Sequence, residues 1–259
     1  MHERPLILVC NDDGVASPGI TALAEALAAV ADVAVVAPDR ERSAASHSLT
    51  LNRPLRVVPV KPNWFSVDGT PTDCVTLAVV ELLQRRPALV ASGINHGANL
   101  GDDITYSGTV SCAIEATLQG IPAFAISLAG EREYDFRAAA AFSRRIAGEM
   151  LRRPLPGKTL LNVNVPNLPP EAIRGVTVTR QGQRRYSESV IKNVDPRGRT
   201  YYWIGGTTPV WERAEGTDYE AVQNGWISVT PLELDLTNHA ALEALRGWRL
   251  SLNGDGARA

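Results

Sequence analysis

PLILVCNDDGVASPGITALAEALAAVADVAVVAP, residues 5–38, is the segment that decides the fold. PLILVC (5–10) is a continuous aliphatic run closed by turn residues, the pattern of a buried strand. Ser17 and Pro18 then supply an N-cap and a first helical residue, and alanine and leucine continue to about residue 31. DVAVVAP (32–38) is a second buried strand. Strand, helix, strand in this order implies a right-handed βαβ unit and a parallel sheet.

The pattern recurs downstream. LRVVPV (55–60), WFSV (64–67), ALVAS (88–92), PAFAISL (122–128) and TLLNVNVP (159–166) read as strands. PTDCVTLAVVELLQ (71–84), GTVSCAIEATLQG (108–120) and the stretch 135–153 read as helices between them. Such alternation predicts an α/β fold built on a doubly wound, mostly parallel sheet. Past residue 180 the texture turns polar, β-branched and aromatic. Residues 180–206, with a turn at Asp195-Pro196-Arg197-Gly198, predict an extended β-hairpin with little core of its own. GWISVTPL (225–232) returns as a strand, NHAALEALR (238–246) forms a short helix, and 247–259 reads as a loose tail. The expected division is a core over 1–180 and an arm over 181–259.

A chain of 259 residues buries a full core, and 44% hydrophobic with 21% charged residues is ordinary for a globular protein. The net charge of −2 gives no overall basic field, so no nucleic-acid polymer is expected as a partner. Cys10, Cys74 and Cys112 are far apart and form no CxxC pair, which points to reduced packing residues. MHERPLILVC is too short an apolar run for a secretion signal, and no stretch reaches the ~18 apolar residues of a membrane span. The expectation is a cytoplasmic protein that makes no membrane contact.

In open α/β sheets, ligands bind beyond the carboxyl ends of the strands. There this chain places Asn11-Asp12-Asp13-Gly14, then PDRERSAASHS (38–48), then SGINHGANLGDDITYSGT (92–109). Alone, Asn-Asp-Asp-Gly reads as a solvated turn. Three convergent polar loops reverse that reading. Adjacent carboxylates become favourable around a cation, and a donor set of carboxylates, amides and hydroxyls selects Mg²⁺, Mn²⁺ or Ca²⁺. Ser107, Gly108 and Thr109 open a helix whose N-terminus suits a phosphate, although Ser-Gly-Thr by itself is commonly a plain cap. His47 and His96 flank the polar loops, within reach of a substrate, but lone histidines are more commonly surface or structural groups. The arginines at 40, 42, 184 and 185 read as solvated, with Arg40 and Arg42 near the site, and Asp68 and Asp73 have no evident chemistry.

NDDG, VVAPDRERSAASHSLTL, GTPTDCV, SGINHGANLGDDITYSGTVSCAIEA and ISVTPLELDLT, in this order, resemble the stationary-phase survival protein family SurE from about residue 6 to 237. The resemblance implies a Rossmann-like core and a metal-dependent 5′/3′-nucleotidase acting on nucleoside monophosphates. Some members also trim polyphosphate. It places metal ligands on Asp12, Asp13, Ser43 and Asn95, and phosphate contacts on Asn99, Ser107, Gly108 and Thr109. The loops alone do not choose Ser43 over Ser46 or Ser48. It also implies homodimers or homotetramers in which C-terminal segments are exchanged. Asp12 and Asp13 then serve one divalent cation, and water attacks the phosphorus. Competing readings are a metal-dependent sugar-nucleotide transferase and a nucleotide-sensing module without turnover.

Overall fold

Side chains alternate across a strand, so a strand that is aliphatic throughout needs cover on both faces of its sheet. The computed structural model meets that demand, and it describes residues 4–130, 133–153, 155–185, 190–204, 210–212 and 214–248. The chain begins with β1 (Leu6–Cys10), α1 (Pro18–Ala28), β2 (Asp32–Pro38), β3 (Val57–Lys61), β4 (Trp64–Val67) and α2 (Pro71–Leu77). It continues with β5 (Leu89–His96), α3 (Gly108–Leu118), β6 (Ala123–Ala129), α4 (Arg137–Arg152) and β7 (Thr159–Pro166). Then come β8 (Gly175–Val178), β9 (Arg184–Arg185), β10 (Val190–Val194), β11 (Thr200–Ile204) and β12 (Val210–Trp211). The last elements are α5 (Asp218–Gln223), β13 (Trp226–Glu233) and α6 (His239–Arg246).

Nine strands form one sheet in the order β3-β4-β2-β1-β5-β6-β7-β13-β8. The run from β4 to β7 is parallel throughout. β3 is antiparallel to β4, and β13 runs antiparallel to β7 but parallel to β8. Ile7 and Val9 of β1 share one core with Ile20, Leu23 and Leu27 of α1 and with Ile146 and Met150 of α4. Leu8 and Cys10 face the opposite core, made with Cys74 and Val75 of α2 and Val110, Cys112 and Ala113 of α3. The two apolar layers are the main source of stability, because each fully buried aliphatic side chain contributes about 1.5–3 kcal/mol. The predicted doubly wound α/β sheet is the observed one. Its strand order reverses between β1 and β5, which opens a crevice at their carboxyl ends.

Three departures from the sequence reading matter for the site. β5 continues to His96 rather than stopping near Ser92, with a register shift against β6 between Ser92 and Asn95. An irregularity of this kind re-aims side chains at a strand's end. The helix after Pro71 ends as α-helix at Leu77 and finishes in a wider π turn over Ala78–Leu82, closed by the Leu83 N–H on the Ala78 carbonyl at 3.0 Å. β8 and α5 were not foreseen; each is short, and β8 is ordered by pairing with β13.

The expected hairpin is present as β10 and β11, paired from Val190↔Ile204 to Val194↔Thr200 around Asp195–Gly198. Parts of the segment 180–206 lie outside the described residues, as does the tail from 249 onward. No helix among the described residues is long and apolar enough to cross a membrane.

Candidate active site

The turn after β1 is held from within. Asn11 is fully buried, and its amide donates to the Gly14 carbonyl at 3.1 Å and to Ser17 Oγ at 2.8 Å. Ser17 in turn caps α1, accepting from the Ile20 N–H. The turn and the helix are therefore one unit, and it presents Asp12 and Asp13 to the crevice.

Asp12 is 5% exposed. Thr109, the second residue of α3, donates its hydroxyl to Asp12 Oδ1 and lies 3.3 Å from Asn95 Oδ1. The Asn95 amide nitrogen donates to the Gly97 carbonyl at 2.9 Å, which turns Oδ1 toward Thr109 and Asp12. Gly108 is where α3 meets the carboxylate. A Cβ there would lie 2.7 Å from Asp12 Cβ and 2.9 Å from Asp12 Oδ2, so no larger residue fits without displacement. Ser107 caps α3 by accepting from the Val110 N–H at 3.1 Å, which leaves its own proton free to donate.

Asp13 has a partner that sequence reading missed. Its Oδ2 is 3.1 Å from His96 Nδ1 and also faces the His96 N–H at 3.4 Å. The imidazole is held edge-on to Tyr134 and Phe136, with ring centroids 4.9 and 5.3 Å away. His96 thus belongs to the site rather than to the plain surface. His47 pairs with Glu115 at 2.9 Å. Arg42 and Arg184 are likewise structural: Arg42 donates to the Asp68 carbonyl, and half-buried Arg184 pairs with Asp103 at 2.5 Å. Asp73 closes a capping box on α2 with Thr70.

Burial pushes the Asp12 carboxyl from 3.8 up to about 6; neighbouring Asp13 adds to the rise, and the Thr109 hydroxyl opposes it. Burial raises Asp13 as well, against the pull of His96. Two adjacent carboxylates, one buried and one half-buried, are thus held with too little positive charge between them. Asp12, Asp13 and the Asn95 carbonyl present only oxygen, and this donor set fits a hard divalent cation. Among the described residues no trio of His, Cys, Asp or Glu forms a metal centre, so amide or hydroxyl oxygen has to complete the set.

Two further expected residues stand somewhat apart. The Arg42 N–H bonds the Asp12 carbonyl at 2.7 Å, which brings the loop bearing Ser43 against the turn. The Ser43 hydroxyl itself is turned to Glu41 at 2.6 Å. Asn99 is buried in a polar floor. Its side chain donates to Ser127 Oγ at 2.7 Å, its N–H to Asn164 Oδ1 at 2.8 Å, and its carbonyl accepts from Asn162 and Asn164. The structure therefore joins Asp12, Asn95, Gly108 and Thr109 directly, with Asp13 beside Asp12 on His96 and Ser107 at the head of the same helix.

The family model for survival protein SurE matches residues 7–188. A protein of Geobacter sulfurreducens named 5′-nucleotidase SurE is 60% identical over 246 residues, 95% of this chain and 94% of its own. Its namesake in Geotalea uraniireducens is 56% identical over 95% of this chain and 99% of its own. The crystal structure of the SurE protein from Aquifex aeolicus superposes with a TM-score of 0.84 at 47% identity, covering 94% of this chain and 99% of that one. With the match spanning most of the chain and the relatives aligned nearly end to end, this chain belongs to the SurE family.

Proposed function

We propose that the chain is a divalent-cation-dependent nucleotidase that hydrolyses nucleoside 5′- and 3′-monophosphates to nucleoside and phosphate. The observation that carries the proposal is the meeting of Asp12 and Asn95 with the N-terminus of α3 through Gly108 and Thr109, with Asp13 next to Asp12 on the same turn. The 5′-nucleotidase names of the relatives agree with it.

Asp12, Asp13 and Asn95, with Ser43, would hold the cation. Bound Mg²⁺ or Mn²⁺ supplies Lewis acidity, offsetting phosphoryl charge and acidifying water. The remaining work falls to the protein. The Ser107 hydroxyl and the N–H groups at the head of α3 bind the phosphoryl oxygens, aided by the helix dipole. Thr109 fixes the Asp12 carboxylate. His96 fixes one oxygen of Asp13, leaving the other to orient and deprotonate the attacking water. Asn99 braces the loop that leads to Ser107. No Cys-x5-Arg loop is present in the sequence and both aspartates are assigned to the cation, so we assign the nucleophile to water rather than to a side chain.

Phosphate release from AMP with Mn²⁺, abolished by chelator, tests the activity. A panel of mononucleotides and polyphosphate defines its range, including the polyphosphate trimming seen in some of the family. A substrate with a chiral isotopic phosphoryl group tests the water step: inversion supports direct attack, and net retention refutes it. A sensing module or a sugar-nucleotide transferase would release no phosphate.

The proposal includes a homo-oligomer, dimer or tetramer, in which the hairpin of β10 and β11 is exchanged. Its support is the exposure of Val190, Val194, Tyr202, Trp203 and Ile204 on a two-stranded ribbon. A cytoplasmic setting suits the three free, buried cysteines.

A further inference from the structure

One buried carboxylate lies outside this chemistry. Asp218, at the start of α5, is fully buried. Its Oδ2 accepts from the Gly101 N–H at 2.9 Å. Its Oδ1 accepts from the Gly182 N–H at 2.9 Å and the Tyr219 N–H at 2.8 Å. Its own N–H donates to the Arg180 carbonyl at 3.0 Å.

These partners come from separate places in the sequence. Gly101 lies in the loop that runs from Asn99 to Ser107. Gly182 is where the chain leaves the sheet toward the hairpin, and Thr217 and Asp218 are where it returns. Gly101 has φ +51°, and a Cβ on it would lie 2.8 Å from the Trp211 ring and 2.9 Å from the Gly182 carbonyl oxygen. Its carbonyl accepts from Gln181 Nε2 at 3.0 Å. Further along, Asp102 accepts from the Arg184 N–H at 3.0 Å. The loop is therefore gripped by the foot of the hairpin, with Asp218 at the centre of the grip.

The chemistry requires a carboxylate. Three N–H donors converge on two atoms, and only a carboxylate makes both atoms acceptors. An asparagine would keep its oxygen on the Gly182 and Tyr219 donors and turn its NH₂ against Gly101. Desolvation raises the carboxyl's pKa here, and the three charge-assisted bonds counter part of that rise.

We propose that Asp218 is a positioning residue for phosphate binding: through Gly101 it holds the Asn99–Ser107 loop in register and ties the cradle to the hairpin's foot. The proposal rests on the reading of Ser107–Thr109 as a phosphate cradle. Three of the four proposed cation ligands, Asp12, Asp13 and Asn95, hang instead from β1 and β5, so the two sites respond differently to a change at Asp218.

The test uses the full-length chain as Asp218→Asn and Gln181→Ala. Mn²⁺ affinity and the affinity of the Mn²⁺-loaded protein for inorganic phosphate are measured by calorimetry, alongside KM and kcat for AMP. In Asp218→Asn, phosphate affinity should fall about tenfold, the scale of one charge-assisted hydrogen bond. KM should rise with it, kcat should change less than about threefold, and Mn²⁺ affinity should stay within about twofold. Gln181→Ala should shift phosphate affinity in the same direction by a smaller factor, and it decides the matter if Asp218→Asn does not fold. Unchanged phosphate affinity in the folded variants overturns the proposal, as does a parallel loss of Mn²⁺ binding. Because phosphate binding is read without turnover, failure of AMP as a substrate would count against the nucleotidase reading and leave this result standing.

Discussion

Replacing Asp12 by Asn should make the metal-free protein more stable. Asp12 is buried, and burial lifts its carboxyl from 3.8 to about 6. Below the unfolded value both states carry the proton, so the group costs nothing. Between the two values the unfolded chain has ionised and the folded one resists, so stability falls as pH rises. Above about 6 the penalty is complete, at about 3 kcal/mol from 1.36 kcal/mol per pH unit. Asparagine keeps an oxygen for the Thr109 hydroxyl and removes the charge. For a chain of this length 1 kcal/mol moves the midpoint by about 2 °C, so in chelator at pH 8 the variant should melt about 6 °C above the parent. At pH 4 the gap should close. Scanning calorimetry at one protein concentration, with EDTA, measures both. Adding Mn²⁺ should reverse the order, because only the parent gains binding energy in its folded state. A variant that melts at or below the parent in EDTA at pH 8, or a gap independent of pH, would refute the claim that burial dominates at Asp12.

Gly108→Ala should lower nucleotidase activity by more than about tenfold and destabilise the protein by about 1–3 kcal/mol, because its Cβ would meet Asp12; steady-state kinetics and melting check it, and full activity would contradict the packing argument. His96→Ala should reduce kcat more than it raises KM, since it frees Asp13 without touching the phosphate groups; an effect confined to KM would assign the imidazole to substrate instead. Replacing Val190–Ile204 by a short glycine–serine link leaves the Arg184–Asp103 pair in place and should lower the oligomer mass in light scattering; retention of the full-length mass would remove the hairpin from the assembly.

The sequence displayed the central fold because its signals are local. β1 and β2 are continuous aliphatic runs, and Ser17-Pro18 marks the start of α1 within a few residues. Asp12 and Asp13 stood out because carboxylates at a buried strand's end are anomalous there. The missed features depend on distance along the chain. His96 meets Asp13 across 83 residues, and Asp218 meets Gly101 across 117. The extension of β5 to His96 crosses Gly93 and Asn95, residues with poor strand propensity, and is sustained by pairing with β6. Ser43 was separable from Ser46 and Ser48 only through family resemblance. The three hydroxyls differ in their bonds: Ser43 Oγ donates to the Glu41 carboxylate, Ser46 Oγ to the Thr105 carbonyl and Ser48 Oγ to the Ala45 carbonyl.

The bond from Asn11 to the Ser17 cap has a kinetic consequence. The Ile20 amide is protected by a hydroxyl that is itself fixed by the residue next to Asp12. A cation that stills the Asp12 turn must also slow fraying of the first turn of α1. Hydrogen exchange at Ile20, on an amide that touches neither carboxylate nor substrate, therefore reports site occupancy from the far side of the turn.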